Sequence, residues 1–132
     1  MVVYRFSSPA EFAEKRELIR MTIKEICQEK QELLYVALNE AVNNAFFHGY
    51  KGAGPGPVEV MLYQQQQDIV ISVRHDGQGL NSVQFPPKRR CSLMADHGRG
   101  LEIIKKCTDF CEYNEDGREV IMKKRILTTN CS

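Results

Sequence analysis

The sequence predicts a two-layer α/β sandwich, in which helices cover one face of a mainly antiparallel sheet. Strand-like runs occur in adjacent pairs separated by short polar turns, which is typical of hairpins. Apolar residues at helical spacing occur in separate segments outside these pairs. No strand leads through a GxGxxG turn into a helix, which argues against a Rossmann sheet. The predicted order is therefore β-α-α-β-β-loop-α-β-β.

Length and composition favour one globular domain. The chain has 132 residues, with 18 Lys+Arg against 17 Asp+Glu. This charge balance argues against a protein that binds mainly nucleic acid or anionic lipid. We expect a single domain over residues 1–127 and a disordered tail over 128–132.

Three features of the sequence predict the compartment of the protein. No apolar run approaches the ~18 residues of a membrane span, and the first residues lack the apolar centre of a signal peptide. The five cysteines are odd in number and scattered, which is typical of reduced thiols. Together these features predict a cytoplasmic protein.

The first half of the chain begins with a short strand at 2–6. Apolar spacing then predicts a helix from Pro9 to Gln28, with Ser8 and Glu11 as start signals. A second helix is predicted from Lys30 to His48, where Gly49 ends it.

The second half contains two predicted hairpins. After a Gly- and Pro-rich loop, strands at 58–63 and 68–74 are joined by glutamines. A third helix ends near Cys107, and strands DFCEY and EVIMKKR flank a turn at 114–117.

A long loop over residues 77–97 separates the first hairpin from the third helix. Loops of this length inside a small domain are usually functional or mobile. The loop carries the basic triplet Lys88-Arg89-Arg90. Two interpretations stay open: contact with phosphates or an acidic partner surface, or a solvated run of charge.

Three polar residues follow one face of the otherwise apolar second helix. Glu40, Asn44 and His48 are spaced four residues apart. In one interpretation the stripe is solvated, or is satisfied by the backbone. In the other it lines a pocket where the Asn44 oxygen holds Mg²⁺ and Glu40 polarises a hydroxyl or water. For His48 we favour a structural role at the helix end.

Two glycine pairs flank the long loop. Gly77 and Gly79 close a strand, where the missing side chains let the backbone approach a ligand. Gly98 and Gly100 open a helix, whose exposed N–H groups form a natural phosphate seat. Combined with a helical Glu-x-x-x-Asn upstream, these glycines predict a nucleotide pocket.

These motifs resemble the GHKL superfamily, whose ATPase fold occurs in gyrase and histidine kinases. ALNEAVNNAFFHGY is similar to its N box, VRHDGQGL to its first glycine box and DHGRGLEIIKKCTDFCEY to its second. The resemblance covers nearly the whole chain and implies the Bergerat type of α/β sandwich, with a lid over ATP and Mg²⁺. The compact length and the Asn-Ala-x-x-His-Gly ending resemble the branch of anti-sigma factors that are serine-protein kinases.

The resemblance assigns expected roles to individual positions. Glu40 matches the glutamate that acts as general base, and Asn44 matches the asparagine that ligates Mg²⁺. Gly77 and Gly79 match glycines that shape the nucleotide pocket. Further nucleotide contacts are expected in the second box, at Gly98, Arg99, Gly100 and Leu101.

The first glycine box departs from the family pattern. The family has Asp-x-Gly-x-Gly, and its aspartate accepts a hydrogen bond from the adenine amino group. Here His75 stands at that position and Asp76 follows it. Both are expected nucleotide-binding residues, although neighbours on an extended strand point to opposite sides. Losing a charged acceptor costs on the order of 1.5–3 kcal/mol, so weak nucleotide binding, or none, stays open as an alternative.

The resemblance implies a bacterial cytoplasmic anti-sigma factor. It would phosphorylate a serine on an anti-anti-sigma protein of the STAS type. When that partner is unavailable, it would bind a sigma factor and keep it away from RNA polymerase. A homodimer is plausible, because the open sheet leaves a surface to cover. Two alternatives stay open: a sequestering module with little or no use of nucleotide, and a slow ATP-gated switch.

Overall fold

The computed structural model describes residues 1–28, 31–49, 56–76, 88–90, 99–114 and 118–126. No helix in these ranges is long and apolar enough to cross a bilayer. The elements, in chain order, are β1 (Val2–Phe6), α1 (Pro9–Cys27), α2 (Glu32–Asn44), a π-helical segment (Ala45–Gly49), β2 (Val58–Gln65), β3 (Asp68–His75), β4 (Lys88–Arg90), α3 (Arg99–Cys107), β5 (Phe110–Asn114) and β6 (Glu119–Arg125).

The strands form one six-stranded sheet in the order β1-β2-β3-β6-β5-β4. Every neighbouring pair is antiparallel. Val73 on the central strand β3 lies opposite Val60 of β2 and Val120 of β6. The predicted sandwich with an antiparallel sheet is therefore confirmed.

The core lies between one face of the sheet and the three helices. Strand alternation sends every second side chain toward the helices. The buried residues of the three central strands on this face are Val58, Val60, Leu62, Ile69, Ile71, Val73, Val120 and Met122. Residues Phe12, Ile19 and Ile23 of α1 and Leu34, Leu38 and Val42 of α2 belong to the same cluster. On the opposite face of the sheet, the Ser72 hydroxyl donates a 2.7 Å hydrogen bond to the Glu119 carboxylate.

The helices divide the sheet between them. Helix α1 packs over β1 and β2, α2 over β3, and α3 over β5 beside α2. Helix α1 begins as its start signals predict, because the Ser8 hydroxyl accepts a hydrogen bond from the Glu11 N–H at 3.3 Å and Pro9 occupies the first turn. Helix α2 is thus the central helix, with α1 on one side and α3 on the other.

Three elements differ from the sequence predictions. The second helix ends at Asn44 and continues as the π-helical segment, a local widening that helical periodicity does not reveal. The basic triplet forms strand β4, paired with β5, rather than belonging entirely to a loop. The glutamine loop is short, since β2 continues to Gln65 and only Gln66 and Gln67 form the turn.

The expectation of reduced cysteines is wrong at one position. Cys27 and Cys107 are buried free thiols, whereas Cys111 is disulfide-bonded. An odd cysteine count does not specify which thiols the fold brings within bonding distance of each other. The predicted tail over residues 128–132 lies outside the described residues, as do most residues of the predicted lid.

Candidate functional site

The two flanks of α2 have different neighbours. On one flank the Arg20 guanidinium of α1 stacks 4.2 Å from the centroid of the Tyr35 ring and lies 3.7 Å from the Glu32 carboxylate. At about 100° per residue, Asn44 lies on the opposite side of the helix from Tyr35, and Glu40 is close to it. Both residues are partly buried. The predicted polar stripe therefore lies on the flank that faces away from α1.

Asn44 has a specific partner in the sheet. Its side chain is hydrogen-bonded to the Tyr113 hydroxyl of β5. Tyr113 lies opposite Val120 on the helix-facing side of β5, two residues after the buried Cys111. The hydrogen bond joins α2 to the sheet at the last residue of the helix.

The Tyr113 hydroxyl is strongly desolvated, although the residue as a whole is only partly buried. Burial raises the pKa of Tyr113 from 10.0 to about 12, and the hydrogen bond from Asn44 opposes this rise. Desolvation is therefore the larger of the two effects at this hydroxyl.

His75 and Asp76 lie on opposite faces at the end of β3. His75 lies opposite Val58, shares the helix-facing side with Val73 and is only 7% exposed. Its backbone N–H donates to the Arg118 carbonyl at 2.9 Å, which holds the strand end against β6. The carboxylate of Asp76 lies 3.9 Å from the Arg74 guanidinium, with 62% of its side chain exposed. At the position where the resemblance expects the family's aspartate, the buried residue is therefore His75, while Asp76 is exposed.

The second glycine box is only partly within the described residues. Helix α3 begins at Arg99 and includes Gly100 and Leu101, which agrees with a segment that opens a helix. Gly98 lies outside the described residues, as do Gly77 and Gly79 of the first box. His48 lies in the π-helical segment, which contacts β3.

The site has the chemistry to accept a magnesium–nucleotide complex. Within the described part of the chain, no group of three His, Cys, Asp or Glu side chains could hold a metal ion. Mg²⁺ nevertheless needs few protein ligands when it is bound together with phosphates and water. The side chain of Asn44 offers an amide oxygen, which is a suitable hard ligand for this ion. Asn44 and Glu40 therefore fit the group that the resemblance implies.

Tyr113 is the residue that sequence reasoning missed. In the sequence it is one of several aromatic residues in the strand-like run DFCEY. Alternation along that strand would have placed it on the same face as Cys111, beneath the helices. Its pairing with Asn44 depends on how α2 lies across the sheet, which periodicity does not specify.

The raised pKa of Tyr113 predicts a loss of stability at alkaline pH. Below about pH 10 the phenol is protonated in both the folded and the unfolded chain, so its contribution to the free energy of unfolding is fully present. Between its unfolded pKa of 10.0 and its folded pKa of about 12, only the unfolded chain ionises, and unfolding becomes more favourable. Over this window we expect the free energy of unfolding to fall by about 1–2 kcal/mol more in the wild type than in Tyr113→Phe. This value allows for the solvent screening that a partly buried ring still experiences.

This prediction is checked by urea unfolding of both proteins at closely spaced alkaline pH values. The difference between the two free energies of unfolding isolates Tyr113 from the other titrating groups. Parallel curves over the whole window would contradict a raised pKa at this residue.

Comparison with known proteins gives the same classification as the motifs. The family model described as "Histidine kinase-like ATPase domain" matches residues 9–124. This span includes all three helices and strands β2 to β5 in full, and β6 up to its penultimate residue, whereas β1 lies before it.

Similar proteins include three that are named anti-sigma F factor. The protein from Lysinibacillus sphaericus is 32% identical over 91 residues, which is 67% of this chain and 59% of that relative. The protein from Clostridium acetobutylicum is 24% identical over 86% of this chain and 87% of its own length. The protein from Clostridium novyi is 28% identical over 80% of this chain and 74% of its own length.

The family match and the architecture agree. Helices cover one face of an antiparallel sheet, and the central helix α2 bears Glu40 and Asn44. The family model spans most of this arrangement. The resemblance to the GHKL superfamily is therefore confirmed, and this chain belongs to the histidine kinase-like ATPase domain family.

Proposed function

We propose that this protein is an anti-sigma regulatory factor that binds Mg·ATP and phosphorylates a serine on an anti-anti-sigma protein of the STAS type. When that partner is unavailable, it sequesters a sigma factor. The similarity to three proteins named anti-sigma F factor supports the regulatory part of this proposal. Membership of an ATPase domain family supports the use of nucleotide.

The observation that carries the proposal is the flank of α2 that bears Glu40 and Asn44. The two residues are adjacent on the helix surface, partly buried and turned away from α1. A carboxylate and an amide oxygen placed together would combine a proton acceptor with a cation ligand. Phosphoryl transfer requires both, together with positioning of the two substrates.

Each side chain has one role in this proposal. Asn44 presents its carbonyl oxygen to the cation. Glu40 accepts the proton of the attacking serine hydroxyl, so that the oxygen becomes a better nucleophile. The bound cation supplies neutralisation of the phosphate charge. The start of α3 at Arg99 would direct backbone N–H groups toward phosphate.

A second candidate function is supported by His75. The buried end of β3 carries an imidazole where the family has a carboxylate, and the neighbouring Asp76 is exposed on the opposite face. A pocket without a charged acceptor for the adenine amino group would bind ATP weakly. The alternative is therefore a module of the same fold that sequesters its partner with little or no nucleotide.

Titration calorimetry with Mg·ATP, with Mg·GTP as the comparison, tests the proposal. We expect adenine-selective binding with a dissociation constant in the micromolar range. Asn44→Ala is expected to weaken Mg·ATP binding about tenfold, because the cation loses its protein ligand. Asn39→Ala is the matched control, since the Asn39 amide donates to the Tyr35 carbonyl on the other flank of α2.

The calorimetric outcomes separate the two candidate functions. Binding that requires Mg²⁺ and depends on Asn44 supports the ATP-using regulator. No detectable heat at millimolar nucleotide would exclude it and leave the sequestering module. Equal affinity in wild type and Asn44→Ala would remove the metal role from this residue.

A further inference from the structure

The side of the sheet that lies opposite the helices has a buried centre of its own. Helices α1, α2 and α3 pack against the side that carries Ile71 and Val73 of β3. Strand alternation directs Val70 and Ser72 to the other side, which we call the open face. Val70 is fully buried and yet does not belong to the core cluster. The open face therefore has an apolar layer separate from the main core.

Strand register identifies the other members of this layer, because residues directly opposite one another lie on the same side of a sheet. Its apolar side chains are Val3, Met61, Tyr63, Val70 and Ile121. Val3 is 48% exposed, and the side chains from β2 and β6 are partly exposed. Apolar side chains that lie together and stay in contact with water favour contact with another protein surface.

A polar side chain at the centre of the open face already has its hydrogen bond. The Ser72 hydroxyl donates to the Glu119 carboxylate at 2.7 Å, and Ser72 is only 3% exposed. A hydroxyl that has a partner within its own chain costs little to cover further. The centre of the open face can therefore lose its contact with water without leaving this hydroxyl unsatisfied.

A row of alternating charges borders the apolar layer. This charged row crosses four neighbouring strands through Arg5 of β1, Glu59 of β2, Arg74 of β3 and Glu119 of β6. The signs along it are therefore plus, minus, plus and minus. In reverse order, the row has the opposite sign at every position. Two copies of the row are thus complementary when one is rotated by 180° about an axis that runs between β2 and β3, parallel to the strands.

We propose that the open face binds a second copy of this chain, in a symmetric dimer whose two-fold axis runs between β2 and β3. Arg74 of each copy faces Glu59 of the other, and Arg5 faces Glu119. The two sheets pack face to face over their apolar layers, as the sheets of a β-sandwich do. The apolar layers supply affinity, and the charged row sets the register. This proposal is independent of nucleotide use, since these residues lie on the side of the sheet away from α2.

Sedimentation equilibrium of the full chain tests this dimer. We expect the wild type to sediment at twice the chain mass of 15.1 kDa. Arg74→Glu and Glu59→Arg should each raise the dissociation constant of the dimer at least about tenfold, because each places like charges opposite one another at two symmetric positions. An equimolar mixture of the two variants should regain the wild-type dissociation constant, since each variant then meets the opposite charge on the other.

The mixture also separates contacts between copies from effects within one chain. Glu59 lies opposite Arg74 in its own chain, so either substitution also creates a like-charge pair there. That internal pair persists in the mixture, whereas the contacts between copies are restored. Circular dichroism of each variant alone checks that the strands are retained.

Two further variants address the specificity of the effect. Lys106→Glu is the matched control, because it reverses the charge of an exposed residue on α3, in the other layer. It should keep the wild-type dissociation constant. Val3→Lys probes the apolar layer, since Val3 would face Ile121 of the second copy. Val3 is half-exposed, so the free chain should accept the lysine while the dimer weakens at least about tenfold.

The outcomes decide the proposal directly. Weakening in the face variants with recovery in the mixture supports it, because a folding defect would persist in the mixture. A wild type that stays monomeric at every concentration overturns it and leaves the open face to a different protein. A dimer that persists in Arg74→Glu, Glu59→Arg and Val3→Lys lies on another surface, which also overturns it. Two monomeric variants whose mixture stays monomeric overturn the proposed arrangement.

Discussion

Replacing Glu40 with glutamine is expected to slow phosphoryl transfer to the anti-anti-sigma protein by about 10²–10⁴-fold. The change keeps the shape of the side chain and removes its capacity to accept a proton, which is the contribution expected of a general base. Binding of Mg·ATP should stay within about threefold of wild type, because Asn44 is intact. The rate is measured as transfer of labelled γ-phosphate to the partner in a single turnover.

Glu32→Gln is the matched control for this experiment. This substitution makes the same chemical change on the same helix, but Glu32 lies in the first turn on the flank near Arg20. Its substitution should leave the transfer rate unchanged. A full transfer rate in Glu40→Gln would exclude Glu40 as the base, whereas equal losses in both variants would point to damage to α2 rather than to chemistry.

Replacing His75 with aspartate is expected to tighten binding of Mg·ATP about tenfold to a hundredfold. The substitution restores a charged acceptor at the buried, helix-facing end of β3, where a hydrogen bond to an adenine amino group gains about 1.5–3 kcal/mol. Affinity for Mg·GTP should not rise, because guanine has no amino group at the same position. The two affinities are measured by calorimetry on the same preparation.

The same substitution should lower the stability of the free protein. A carboxylate at a position that is 7% exposed is desolvated before the ligand supplies a partner, which costs on the order of 1–2 kcal/mol in unfolding experiments. ATP would restore this stability by mass action. Unchanged or weaker ATP binding would mean that His75 is already adapted to its ligand, or lies outside the pocket.

Asp76→Asn distinguishes between the two neighbouring residues. Asp76 pairs with Arg74 on the exposed face, so its neutralisation should change ATP affinity by less than twofold. A larger loss would show that a local rearrangement brings Asp76 into the pocket when nucleotide binds. The two variants therefore identify which residue of the first glycine box contacts the adenine base.

The alternation and periodicity of the sequence are sufficient to predict the layers of this protein. EVIMKKR forms β6 with the bounds predicted, and the start signals at Ser8 and Pro9 begin α1 where expected. These elements are local: a period of two buries one face of a strand, and a serine caps the N–H groups of a first turn. The Glu40–Asn44 stripe is equally local, since any helix over those residues places them together.

Three features required the tertiary structure, because each depends on contacts between segments distant in the sequence. The basic triplet becomes strand β4 only because β5 offers it an edge to pair with. His75 is buried and Asp76 is exposed because the register with β2 and the bond to Arg118 decide which residue faces the helices. Tyr113 reaches Asn44 only because α2 lies across the sheet beside α3, and that crossing follows from packing of the whole core rather than from either residue.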